Sequence, residues 1–130
     1  LQLNYINQAI AQRQEIDSIY REGLKDVEGI RLLPLPPESQ QNYSYFPILV
    51  ESAYPLSRDA LYQKLRNQDI YARRYFYPLI SDFPMYRGLP SADAGNLPVA
   101  KFISERILCL PIYPDLLDGQ VSKILEVITL

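Results

Sequence analysis

The sequence predicts an α+β domain, a small antiparallel or mixed β-sheet backed by helices. Three observations predict it. Apolar residues recur at three- and four-residue intervals in four separate stretches, short strand-like runs stand between them, and prolines interrupt or end those runs. At 130 residues the chain suits one domain, residues 1–130, long enough to bury most of its apolar surface.

The first stretch reads as a long helix. Ile6, Ala9, Ile10, Ile16, Ile19, Tyr20 and Leu24 form its apolar stripe, with Gln12, Arg13, Glu15 and Asp17 mostly between them. The pattern is already helical from Leu1 without a capping residue before it, which suggests a helix cut from something larger. "DVEG" closes the helix at Gly29, "IRLL" is a short strand, and "PLPPESQQN" is a loop because its prolines deny donors to helix and ladder alike. "YSYFPILVE" is a strand with Phe46, Ile48 and Val50 on one face, and Pro47 suggests a bulge or an edge position. "PLSRDALYQKLRNQD" is the second helix: Ser57 caps it, Asp59 suits its positive end, and Leu61 and Leu65 face inward.

"IYARRYF" reads as a strand that runs out into prolines, and 87–96 as loop. "LPVAKFISERI" is a third helix with Pro98 in its first turn, where the missing N–H is no loss. "ILCLPIYP" is a strand ending at a proline. Asp118 then caps a last helix whose Val121, Ile124, Leu125 and Ile128 point inward. The expected order is α-β-β-α-β-α-β-α.

Composition narrows the function. With 13 basic and 15 acidic residues the net charge is −2, so the chain lacks the general attraction that phosphate neutralisation gives nucleic-acid binders. Cys109 is the single cysteine, which fits a reducing compartment and a cytoplasmic protein. No apolar run approaches the ~20 residues that span a bilayer, and no secretory leader is evident. Histidine is absent, which removes the commonest general base and most zinc sites. The five glycines are scattered singly, so there is no glycine-rich phosphate loop. The expectation is no catalytic residue and no metal site in this chain.

One stretch stands apart, "YARRYFYPLISDFPMY" from Tyr71 to Tyr86. A core strand would explain its rings but not its arginines, and a solvated loop the reverse. A binding surface explains both. Arg73 and Arg74 are candidates for phosphate oxygens, which guanidinium forks match. The plainer alternative leaves one in solvent and pairs the other with a carboxylate such as Asp82. Tyr75, Phe76 and Tyr77 could form a wall, but alternation along a strand lets at most two face one site, so Phe76 is expected in the core.

Four blocks in order, "AIAQRQEIDSIYREGLKDVEGIRL", "YSYFPILV", "ARRYFYPL" and "LPVAKFISERILCLPIYP", resemble the C-terminal small domain of the DegT/StrS-type nucleotide-sugar aminotransferases. These are pyridoxal-phosphate (PLP) enzymes of the aspartate-aminotransferase fold, and the likeness runs over nearly the whole chain. The resemblance implies the small domain of a fold-type I PLP enzyme whose larger domain, carrying the cofactor lysine and most of the phosphate cup, lies elsewhere in the polypeptide. It implies amino transfer from glutamate to a keto carbon of a nucleotide-linked hexose, PLP in the complete enzyme but none held by this fragment, and a homodimer whose site borrows from both subunits. Many relatives read x-H-Y-x-P-L-H where this chain has Arg74-Tyr75-Phe76-Tyr77-Pro78-Leu79-Ile80. Tyr75 and Ile80 take the histidine positions; Tyr75 can still donate through its hydroxyl, and Ile80 cannot. By the resemblance Arg73, Arg74, Tyr75 and Tyr77 are the substrate-binding candidates, and the tyrosine-rich form points to dTDP-linked 6-deoxy-ketohexoses aminated at carbon 3.

Other features have plain readings. Lys25, Lys64, Lys101 and Lys123 sit among polar neighbours, unlike an amine whose pKa must be lowered to form a Schiff base. Cys109, between leucines, is structural. Asp17, Asp26 and Glu28 read as a solvated helix end, and Asp115 and Asp118 as turn and cap. Against the aminotransferase stands a free-standing α+β module that stacks a nucleotide or single-stranded RNA on the aromatic-basic strand, or a purely structural interaction domain.

Overall fold

A computed structural model describes residues 2–36, 38–116 and 118–129. Its elements are α1 (Ile6–Leu24), β1 (Ile30–Leu32), β2 (Phe46–Val50), α2 (Arg58–Arg66), α3 (Pro98–Ser104), β3 (Ile107–Leu110) and α4 (Asp118–Thr129). The strands form one antiparallel sheet in the order β1-β2-β3, so the expected α+β class holds.

The core forms where one sheet face meets the helices. Phe46, Ile48 and Val50 alternate onto that face and join Tyr20 and Leu24 of α1, Leu61 and Leu65 of α2, and Val121, Ile124 and Ile128 of α4. Leu49, Ile107 and Cys109 belong to the opposite face, and they are buried as well. Two tyrosine hydroxyls close long loops inside this core. Tyr20 donates to the Pro111 carbonyl at 2.9 Å, and Tyr54 donates to the Ile128 carbonyl at 2.7 Å.

Several local readings survive folding and several do not. Ser57 caps α2 by accepting from the Ala60 amide, and Pro98 opens α3. Asp118 is the first residue of α4, and the residue before it lies outside the described set. In α1 only the second half is buried: Ile16, Tyr20 and Leu24 pack inward, while Ile6 and Ile19 are exposed. Asp17 is not solvated. It is buried because Arg21, one turn later, donates to it at 2.7 Å and also to the Leu33 carbonyl.

Pro47 is on the central strand, neither at an edge nor in a bulge. Its partner across β3 is Cys109, and β1 ends at Leu32, opposite Ile48. The hydrogen-bonded pairs toward β1 fall on odd-numbered β2 residues, as Glu51 donating to Gly29 shows. The missing N–H of Pro47 therefore points past the end of β1, where no ladder acceptor is required.

"IYARRYF" is not a strand. Only Arg73 pairs with the outer edge of β3, exchanging both backbone hydrogen bonds with Cys109 at 2.9 and 2.8 Å. The next outward-facing β3 carbonyl, that of Ile107, is taken instead by the Arg58 guanidinium at 3.2 Å. A side chain thus occupies the edge where a fourth strand would have continued.

A candidate substrate-binding surface

The segment after α2 is anchored before it opens outward. Asp69 adopts a left-handed conformation (φ 60°) that lets Ile70 donate back to the Leu65 carbonyl and ends the helix. Ile70 and Ala72 are then buried, and Tyr71 and Arg73 point to solvent. After the Arg73 bridge the chain turns at Phe76, whose φ is 44°, and the Tyr77–Pro78 peptide is cis. A short 3-10 turn at Ile80–Asp82 follows.

That turn overturns the expectation for Phe76. Its ring is 72% exposed, because the left-handed backbone breaks the strand alternation that would have sent it inward. Instead it packs on Tyr75 with ring centroids 4.2 Å apart, and Tyr75 meets Tyr45 edge to face at 5.3 Å. Tyr75 is half-buried and Tyr77 exposed. Beside them Phe76, Pro78, Leu79, Ile80, Phe83 and Leu97 line a groove of about 440 Å³.

The two arginines separate in role. Arg74 donates to Asp59 at 3.3 Å, and its guanidinium carbon lies 5.0 Å from the Tyr77 ring centre and 4.8 Å from that of Tyr62. Its carboxylate partner is Asp59; the suggested Asp82 is bound by Lys101 at 3.1 Å. Arg73 is exposed, with its backbone fixed on Cys109, and its side chain is the freer cation of the two. Burial pushes the Cys109 thiol up to about 11, opposed in part by the Arg73 charge, so the thiol stays protonated and inert.

Sequence reasoning missed the residue that organises this cluster. Arg58 is 3% exposed and donates to the Ser104 carbonyl at 2.8 Å, the Ile107 carbonyl at 3.2 Å and Asp59 at 2.8 Å. Its guanidinium carbon stands 4.5 Å from the Tyr77 ring centre. The signal was present as spacing: Arg58, Tyr62 and Arg66 recur every four residues, which puts them on one face of α2. Arg66 lies over both Tyr62 and Tyr71, extending the alternation of cations and rings.

The four lysines are engaged elsewhere. Lys64 and Lys123 donate to the carbonyls of Val127 and Gln68. Hydrogen bonds to Glu22 and Asp82 hold the Lys25 and Lys101 ammonium groups above their ordinary range, the reverse of what an amine nucleophile needs. Among the described residues no group of three His, Cys, Asp or Glu could hold a metal ion, and no helix is long and apolar enough to cross a membrane.

Comparison with known proteins extends this picture. Residues 1–129 match the model of the DegT/DnrJ/EryC1/StrS aminotransferase family. The chain is 47% identical over 128 residues to the dTDP-4-amino-4,6-dideoxy-D-glucose transaminase of Escherichia coli, covering 98% of this chain and 34% of that protein. The crystal structure of S. venezuelae DesV in complex with a ketimine intermediate superimposes with a TM-score of 0.84 at 26% identity, over 98% of this chain and 33% of DesV. A protein of Streptococcus pneumoniae solved in its PLP form gives 0.85 at 25% identity, over 98% of this chain and 32% of its own. The chain thus spans about a third of the length of the relatives it matches.

Proposed function

The chain belongs to the DegT/DnrJ/EryC1/StrS aminotransferase family, and from that premise we propose that it is the C-terminal domain of a PLP-dependent enzyme acting on a dTDP-linked deoxyhexose. The amino group comes from glutamate and goes to a keto carbon of the sugar. The observation that carries the substrate class is the 47% identity to the E. coli transaminase across 98% of this chain. That relative's name puts its amino group at carbon 4, which favours carbon 4 over the carbon 3 that the tyrosine-rich segment suggests.

The residues of this chain do not by themselves fit PLP. Every lysine is tied to a carboxylate or a backbone carbonyl, and the buried guanidinium of Arg58 is spent on two backbone carbonyls and Asp59. On this reading the larger domain of the same polypeptide holds the cofactor, which supplies the electron sink for amino transfer. The present chain supplies one wall, in a dimer whose two subunits share the site.

What that wall does follows from its groups. Tyr75 and Tyr77 offer ring faces and hydroxyls to a sugar, and the neighbouring groove offers apolar surface to its deoxy carbon. Arg73, the freer cation, suits a diphosphate oxygen. Arg74, already bound to Asp59 and two rings, serves the wall more than the ligand.

The test is kinetic, on the complete enzyme with glutamate and a dTDP-linked 4-keto-6-deoxyhexose. Tyr75→Phe should lower turnover several-fold while leaving folding intact, since one hydrogen bond is worth roughly 0.5–1.5 kcal/mol. Wild-type turnover of the sugar with unchanged Tyr75→Phe kinetics would remove Tyr75 from the wall. Tight binding of single-stranded RNA with no turnover would favour a free-standing nucleotide-binding module instead.

A further inference from the structure

We infer that Asp59 is a positioning residue for the sugar-nucleotide wall, holding the Tyr77 ring in place through two arginines; this rests on Tyr77 facing the substrate. One carboxylate oxygen, Oδ1, accepts from both Arg58 Nε at 2.8 Å and Arg74 Nη1 at 3.3 Å. The two guanidinium carbons lie 4.5 and 5.0 Å from the centre of the same Tyr77 ring. Asp59 therefore offsets part of the repulsion between two like charges gathered at one ring.

The two arginines depend on it unequally. Arg58 has a second anchorage in the Ser104 and Ile107 carbonyls and stays put without Asp59. Arg74 is exposed, and the polar group that fixes it is Asp59. Removing the negative charge releases Arg74 first. The Tyr77 ring then keeps one of its two cationic contacts, and the Tyr62 ring loses the shorter of its two. Asp59 stands on α2, so the rigid helix dictates where the loop after Arg73 presents its rings.

Asp59 has a plainer role as well. It lies in the first turn of α2, where a carboxylate favours the helix N-terminus. That role appears in the melting temperature and leaves substrate affinity alone. The two are separated in the full-length holoenzyme with Asp59→Asn, which keeps the shape, and Asp59→Glu, which keeps the charge.

Asp59→Asn should raise KM for the dTDP-sugar by about tenfold with kcat within about twofold, the pattern of lost ground-state positioning. Asp59→Glu should restore most of the KM. A crystal structure of the Asp59→Asn enzyme should show Arg74 withdrawn from between Tyr77 and Tyr62. Arg74 still seated there would overturn the inference, whatever the substrate proves to be. So would an Asp59→Asn enzyme that turns over the sugar with the wild-type KM, an outcome that leaves the aminotransferase reading intact. Failure of the wild-type enzyme to aminate any dTDP-sugar would instead sink that reading, and the position of Arg74 would still decide whether Asp59 holds it.

Discussion

Replacing Arg58 by methionine should destabilise the domain far more than an arginine substitution usually does. The guanidinium is almost wholly buried, and one of its nitrogens, Nη1, serves two backbone carbonyls, Ser104 and Ile107. Each buried carbonyl left without a donor costs about 1–3 kcal/mol. The Asp59 carboxylate is more than half exposed, so water replaces its lost partner at little cost. Removing a buried charge also relieves its desolvation, which pulls the sum toward its lower half, about 2–4 kcal/mol. Against a typical total of about 5–15 kcal/mol that is a large fraction. Urea unfolding followed by far-ultraviolet circular dichroism measures it. Arg58→Lys should fall between, because an ammonium group cannot reproduce the planar fork. Arg106→Met is the control: Arg106 stacks on Phe102 at 4.0 Å but is partly exposed, and its loss should stay under about 1 kcal/mol. If Arg58→Met and Arg106→Met unfold together with the wild type, the edge carbonyls of β3 do not need Arg58.

Gly29→Ala should be worse. Gly29 has φ +78°, and an added Cβ would sit 2.0 Å from the Tyr54 amide nitrogen, so a loss above about 3 kcal/mol is expected from left-handed strain plus displaced backbone. Gly88→Ala, with nothing within 4 Å, is its control, and equal unfolding midpoints would refute the clash. Phe76→Ala should change stability by under about 0.5 kcal/mol because the ring is on the surface. Phe46→Ala should cost about 3–5 kcal/mol, and a similar loss for the two would show that Phe76 is buried. Cys109 makes stability fall at high pH. Its folded pKa of about 11 exceeds the ordinary thiol value of 9.0, so only the unfolded state loses the proton between these values. The stability present below pH ~9 should decline by roughly 2 kcal/mol by pH 11. Cys109→Ala should flatten that slope, and an unchanged slope would assign it to other groups such as Tyr20, whose burial also raises its pKa.

Where local chemistry decides the outcome, the sequence was legible. Ser57 caps α2 through a bond three residues away, and Pro98 starts α3 because its own ring favours that position. Where the outcome depends on a partner distant in sequence, it was not. "IYARRYF" carries strand-forming residues, yet a strand needs a free edge, and Arg58 from α2 had taken the next carbonyl. Asp17 looked solvated because a buried carboxylate is rare, and only its pairing with Arg21 permits it. Phe76 looked buried because alternation assumes an extended backbone, which its φ of 44° does not have.

The candidate surface divides in the same way. A resemblance in residue order picked out Arg73, Arg74, Tyr75 and Tyr77, but only the fold tells the arginines apart. Arg74 is bound to α2 through Asp59 and Tyr62, while Arg73 is bound by its backbone to β3. A ring-rich segment outside the core needs some other means of ordering its rings. Here cations from α2 and from the segment itself supply it: Arg58 of α2 and Arg74 lie over Tyr77, and Arg66 of α2 lies over Tyr62 and Tyr71. Contacts of this kind hold a ring while leaving part of it open to a ligand, which burial could not do. The rings of "YARRYFYP" are therefore ordered by Arg74 of the same segment together with Arg58 and Arg66 of α2.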